Sequence, residues 1–110
     1  MKLYKNFINS INGFKVAFKE NSFFLEIVGG IFLLPYLFFL DKSHLIKLLI
    51  LTIYFLLLAF EIFNTSIEKL SDKITKKIDP DIKKIKDLAS ASVFTVLLIL
   101  IILIVLTFFI

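Results

Sequence analysis

Leu48–Asp72, LLILTIYFLLLAFEIFNTSIEKLSD, decides the fold. Its first thirteen residues, Leu48 to Phe60, carry no formal charge. Two carboxylates and a carboxamide follow at once: Glu61, Asn64 and Glu68, with Asp72 beyond them. These four are separated by 3, 4 and 4 residues, so at about 3.6 residues per turn they fall on one stripe of one helix. A charge beside hydrocarbon costs several kcal/mol or finds a partner. Such a stripe therefore does chemistry, binds an ion or glues helices together. Oxygen ligands suit a hard cation such as Mg2+, which usually arrives with a phosphate substrate.

Composition supports a membrane setting. Apolar residues make up 59% of the 110 and the mean hydropathy is +0.96, above the roughly 45–50% of a soluble domain. The length suits one domain. A chain this small has few walls with which to enclose a large pocket, which favours an oligomer with a shared site. The absence of cysteine excludes disulfides and thiolate metal sites. The single histidine, His44, reads as a solvated loop residue beside Asp41 and Lys42. All thirteen basic residues are lysines and the net charge is +4. They flank apolar spans and form no aromatic–basic reader motif, so anionic lipid headgroups are the expected partner and nucleic acid is not.

Outward from the central stretch, residues 1–20 place Leu3, Phe7, Ile8, Ile11, Phe14, Ala17 and Phe18 at helical spacing, with lysines and asparagines opposite. This predicts an amphipathic helix lying in the interface, where Gly13 weakens the helix or allows a bend. The alternation lacks the unbroken apolar core of a cleavable signal. Membrane spans are predicted at 23–40, 45–63 and 88–110, with residues 64–87 forming a cytoplasmic helix extension to about Lys77 and then a turn. Gly29–Gly30 permits close helix approach and Pro35 predicts a kink. Asp79–Pro80–Asp81 is the clearest turn, with Pro80 suited to a first helical turn. The lysines are distributed four before the first span, two around the first loop and seven from Lys69 to Lys86. By the positive-inside rule the N-terminus is cytoplasmic and the C-terminus outside. Glu20, Glu61, Glu68, Asp72, Lys86 and Asp87 then collect at the cytoplasmic face. No P-loop, kinase glycine-rich loop or histidine metal motif is present.

Three segments carry a resemblance. Glu61-Ile62-Phe63-Asn64-Thr65-Ser66-Ile67-Glu68 with Asp72-Lys73-Ile74, Lys86-Asp87-Leu88-Ala89-Ser90-Ala91-Ser92-Val93, and Gly13-Phe14-Lys15-Val16-Ala17-Phe18 with Glu20 and Phe23 resemble motifs of the prokaryotic diacylglycerol kinase family, which includes undecaprenol kinases. The likeness covers nearly the whole chain. Phe24 stands where the family often has arginine, and this chain has no arginine.

The resemblance implies an all-α homotrimer in the bacterial cytoplasmic (inner) membrane. Each subunit would have three membrane helices and one N-terminal surface helix. It implies transfer of the ATP γ-phosphate to a lipid hydroxyl: diacylglycerol first, with undecaprenol as the alternative. By position, Glu61 is the proton acceptor, and Glu20 and Glu68 hold Mg2+ on the ATP phosphates. Asn64, Asp72, Lys86, Asp87 and the turn at Lys77 to Asp79 lie with the nucleotide. Ser90 lies near the lipid head. Apart from the resemblance, Glu26, near the entry of the first span, is expected beside the same headgroup.

Structural alternatives stand beside these roles. Asp72 can cap or pair with Lys69 or Lys76, Lys86 can snorkel, and Asp87 suits the start of a final helix. Ser90 can be a small packing residue, and Asn64 can bond between helices. The rival function is a non-enzymatic membrane transporter or assembly subunit.

Overall fold

The computed structural model describes all 110 residues as four helices: α1 (Lys2–Ala17), α2 (Asn21–Phe39), α3 (His44–Ile74) and α4 (Pro80–Leu106). The last three are long and apolar enough to cross a membrane. At 1.5 Å per residue, α2 is about 28 Å long, close to the hydrocarbon thickness of a bilayer. Large apolar side chains such as Phe32, Phe38, Phe55 and Phe94 point outward. Water would penalise that arrangement, whereas lipid chains solvate it.

The element ends follow local chemistry. α1 runs unbroken through Gly13. α2 continues through Pro35 to Phe39, although proline removes one backbone donor there. The connection after α2 is Leu40 to Ser43, one residue earlier than expected, because Ser43 caps α3 by accepting from the Ile46 N–H at 3.3 Å. His44 is consequently the first residue of a helix, exposed but not in a loop. α3 stops at Ile74, three residues short of the expected Lys77. α4 starts at Pro80, with Asp79 as its cap: Asp79 Oδ1 accepts from the N–H groups of Asp81 (2.9 Å) and Ile82 (3.1 Å). A proline at the first position forfeits a donor that has no intrahelical acceptor anyway. The helix ends at Leu106.

α3 packs most extensively on α4 and less on α2. The buried cluster is Leu33 and Leu37 from α2, Ile50, Tyr54 and Leu57 from α3, and Leu100 from α4. Lipid tails are as apolar as leucine, so shape fit and polar contacts must select this arrangement. α1 is exposed except at Ala17, and Phe18 just after it meets Phe23 edge to face, with centroids 5.2 Å apart.

One contact fixes α2 on α3. The Tyr54 hydroxyl donates to the Glu26 carbonyl at 2.9 Å. Its ring lies over Gly30, where an added Cβ would come 2.0 Å from the hydroxyl oxygen and 2.5 Å from Cζ. Of the two adjacent glycines, only Gly30 serves helix approach; a Cβ on Gly29 meets nothing within 4 Å.

Gly30→Ala is therefore expected to destabilise the fold by about 1–3 kcal/mol, read as a lower thermal midpoint in detergent. Gly29→Ala should leave the midpoint essentially unchanged. Equal midpoints for the two variants would contradict the proposed clasp.

Candidate active site

The Tyr54 clasp has a chemical consequence two turns along α3. Glu61 lies seven residues after Tyr54, and Glu26 lies four before Gly30, so each pair shares a helix face. The Glu26 and Glu61 carboxyl groups face one another within hydrogen-bonding reach. Glu61 is only 5% exposed. Glu26 Oε1 is buried and has no hydrogen-bond partner. Two facing carboxylates repel, and a donor placed between them relieves the strain. A buried acceptor without a partner is costly enough to need a reason.

Along α3 the stripe grades from buried to exposed. Glu61 and Asn64 are buried, while Glu68 and Asp72 are exposed. Asn64 Nδ2 donates to Glu68 Oε1 at 3.1 Å, leaving Asn64 Oδ1 buried and unpartnered. Asn64 thus bonds within α3 rather than to another helix. The stripe offers oxygen atoms at successive depths. Glu20 comes to the same end of α3 and pairs with Lys69 at 3.0 Å, one residue from Glu68.

Beyond the apolar run the site turns cationic. Asp72, Thr75, Lys76, Lys77, Asp79 and Lys86 all line one polar cavity of about 360 Å³ between α3 and α4. Lys86 bridges the two helices through a 2.6 Å bond to Asp72. That bond, helped by Lys76 and Lys69, holds the exposed Asp72 carboxyl below its usual range. Asp72 therefore pairs with Lys86 and not with Lys69 or Lys76. A pocket with lysines on several sides and few carboxylates suits a polyanion.

Other predicted residues sit elsewhere. Asp87 does not share the Lys86 cavity; it turns to another side of α4, pairs with Lys83 at 2.6 Å and lines a shallow hollow with Lys84 and Ala91. Adjacent helical residues point about 100° apart, which separates the two within one protomer. Ser90 is exposed on α4 with no side-chain hydrogen bond. Asp79 both lines the cationic cavity and caps α4. The sequence reading missed Tyr54 and Lys69 as positioning residues. Tyr54 was visible as the polar-tipped member of the Glu61 face; the Lys69–Glu20 pair depends on a turn between α1 and α2 that spacing does not reveal.

A groove of about 560 Å³ opens beside Glu26, lined mainly by apolar residues of α2 and α4 over Tyr54 and Leu57. The polar stripe thus joins an apolar groove at one end and a cationic cavity at the other.

The sequence profile of prokaryotic diacylglycerol kinase matches residues 8–108. A diacylglycerol kinase from Pseudomonas aeruginosa is 33% identical over 89 residues, covering 80% of this chain and 72% of that protein. One from Haemophilus influenzae is 34% identical over 89 residues, covering 80% and 75%. A third, from Helicobacter pylori strain J99, is 35% identical over 92 residues, covering 83% and 72%. With nearly its whole length matched, its three apolar helices and its acidic stripe running from hydrocarbon to a lysine-lined cavity, this chain belongs to the prokaryotic diacylglycerol kinase family and is a membrane kinase.

Proposed function

We propose that the protein transfers the γ-phosphate of ATP to the hydroxyl of diacylglycerol, giving phosphatidate. The observation that carries this reading is the facing Glu26–Glu61 pair, set between an apolar groove and a lysine-lined cavity. The names of the bacterial relatives favour diacylglycerol over undecaprenol.

In the proposed reaction the lipid hydroxyl docks at the carboxyl pair. Its oxygen bonds to the γ-phosphorus as the bond from that phosphorus to the β-bridging oxygen breaks, and ADP leaves. The hydroxyl proton passes to Glu61, the deepest acid of the stripe. Lys77 and Lys86 attract the phosphates, with Asp72 and Asp79 holding the cavity's shape. Asn64 lies between the two ends, its free oxygen available to a donor or a cation. Glu26 and Ser90 are assigned to the lipid head and Asp87 to the nucleotide. Ser90 and Asp87 require contacts beyond those made within one protomer.

Glu20, Glu68 and the unpartnered Asn64 Oδ1 are a chemically suitable oxygen set for Mg2+. No three acidic or histidine side chains gather in one protomer, but nucleotide-bound Mg2+ takes only one or two carboxylates, with phosphates and water completing its shell. When bound, Mg2+ supplies neutralisation of the phosphate charge, the main requirement of this chemistry.

The working form is proposed to be a homotrimer in the bacterial inner membrane. The N-terminus is cytoplasmic, the C-terminus is outside, and α1 lies in the interface on its apolar face. Glu68 and Asp72 stay exposed on a lone protomer, and a neighbouring subunit supplies the missing wall.

Glu61→Gln keeps the shape and removes the base. It is expected to cut turnover by about 100-fold or more while Mg-ATP binding persists; activity within threefold of wild type would reject Glu61 as base. Glu20→Ala and Glu68→Ala should each raise the Mg2+ concentration for half-maximal activity. An unchanged titration in both would put the metal elsewhere. Mixing Glu61→Gln with Glu20→Ala subunits should restore some activity if one site draws these residues from two chains. Failure to rescue, with subunit exchange demonstrated separately, would reject the shared site.

A further inference from the structure

We infer that Lys47 and His44, at the end of α3 remote from the acidic stripe, form a headgroup site for an anionic phospholipid. The bound lipid is a partner of the fold and not the phosphoryl acceptor.

The site is built from two helix faces. On α3, His44, Lys47, Leu48 and Leu51 follow one another at intervals of 3, 1 and 3 residues, so they share a face. On α2, Leu34, Leu37 and Phe38 do the same. Together these residues line a cleft of about 570 Å³. Leu37 is buried and Leu51 half-buried, whereas Leu34, Phe38 and Leu48 are exposed. Polarity is graded along the cleft. Both nitrogen-bearing side chains belong to the first turn of α3, and the rest of the lining is leucine and phenylalanine. From His44 to Leu51 is seven residues of helix, about 10 Å.

Lys47 sets the chemistry of the occupant. It is half-buried and takes no part in the three ion pairs of the chain, Lys69–Glu20, Lys83–Asp87 and Lys86–Asp72. A cation at the border of hydrocarbon is costly until an anion or water meets it. A phosphodiester brings the opposite charge and several acceptor oxygens. The Lys47 ammonium has three donors, and His44 has at least one in either protonation state. An apolar helix of a second copy would cover the leucines and leave the ammonium unmet. Free phosphate would meet the ammonium and leave the leucines bare. Diacylglycerol has no charge to offer, and phosphatidylcholine brings a cation of its own. An anionic phospholipid satisfies both ends of the cleft.

The site is separate from the reaction. Lys47 precedes Glu61 by fourteen residues of the same unbroken helix, about 21 Å. A phosphate held at Lys47 is far from the carboxyl pair.

The chain contains no tryptophan, so one introduced indole reports one place. Phe38→Trp puts it in the cleft, and Phe94→Trp puts it on the exposed side of α4. Each full-length variant is reconstituted in phosphatidylcholine vesicles containing brominated phosphatidylglycerol or brominated phosphatidylcholine, and fluorescence quenching gives the relative affinity of the two lipids. At position 38 phosphatidylglycerol is expected to be preferred by about threefold or more, with no preference at position 94. Added to Phe38→Trp, Lys47→Gln should abolish the preference and Lys47→Arg should keep it. A smaller preference at position 38, or an equal one at position 94, rejects the site. So does a preference that survives Lys47→Gln. Absence of quenching by either lipid at position 38 means that protein covers the cleft, which also rejects it. Should Lys47→Gln not fold, Lys47→Met, which suits hydrocarbon, replaces it under the same criterion.

Discussion

The close approach of Tyr54 to Gly30 is the constraint on which the site depends. Only hydrogen at position 30 leaves room for the phenol, whose hydroxyl donates to the Glu26 carbonyl. In a bilayer, burial of apolar surface does not by itself favour one helix pairing over another. A size match and one directional bond therefore select the register. That register brings a carboxyl on α2 against a carboxyl on α3. A rotation of α2 by one residue, about 100°, would turn Glu26 away from Glu61.

The second organising feature is the gradient along α3. One uninterrupted helix carries Tyr54 and Leu57 in the packed core, Glu61 and Asn64 just within the buried zone, and Glu68 and Asp72 outside it. A single rigid element thus spans environments suited to opposite tasks. The buried end is shielded from water, and the exposed end is open to it. The Lys86–Asp72 bridge then ties α4 to this end, while the Tyr36–Thr107 bond and the Lys42 bond to the Ile110 carbonyl at 2.6 Å tie the opposite end.

The price is polar strain at depth. Glu26 Oε1 and Asn64 Oδ1 remain buried and unpartnered. Each lies beside a residue of the acidic stripe. A buried oxygen left without a partner calls for a reason, and one in a site is open to a ligand.

Much of this was legible in the sequence. The run from Leu48 to Phe60 required a membrane helix, and the spacing of Glu61, Asn64, Glu68 and Asp72 required one polar stripe, because helical period and charge–hydrocarbon cost are properties of the local chain. Asp79–Pro80 marked the start of α4 for the same reason. Tertiary structure alone decided that Gly30 and not Gly29 meets another helix, that Glu26 faces Glu61, that Lys86 meets Asp72 while neighbouring Asp87 turns aside, and that α2 and α4 leave a groove lined by Tyr36. These outcomes depend on the rotation and relative depth of separate helices. Local spacing fixes which residues share a face, but the choice of facing helix rests on steric fit and a few long-range hydrogen bonds, which no single segment contains.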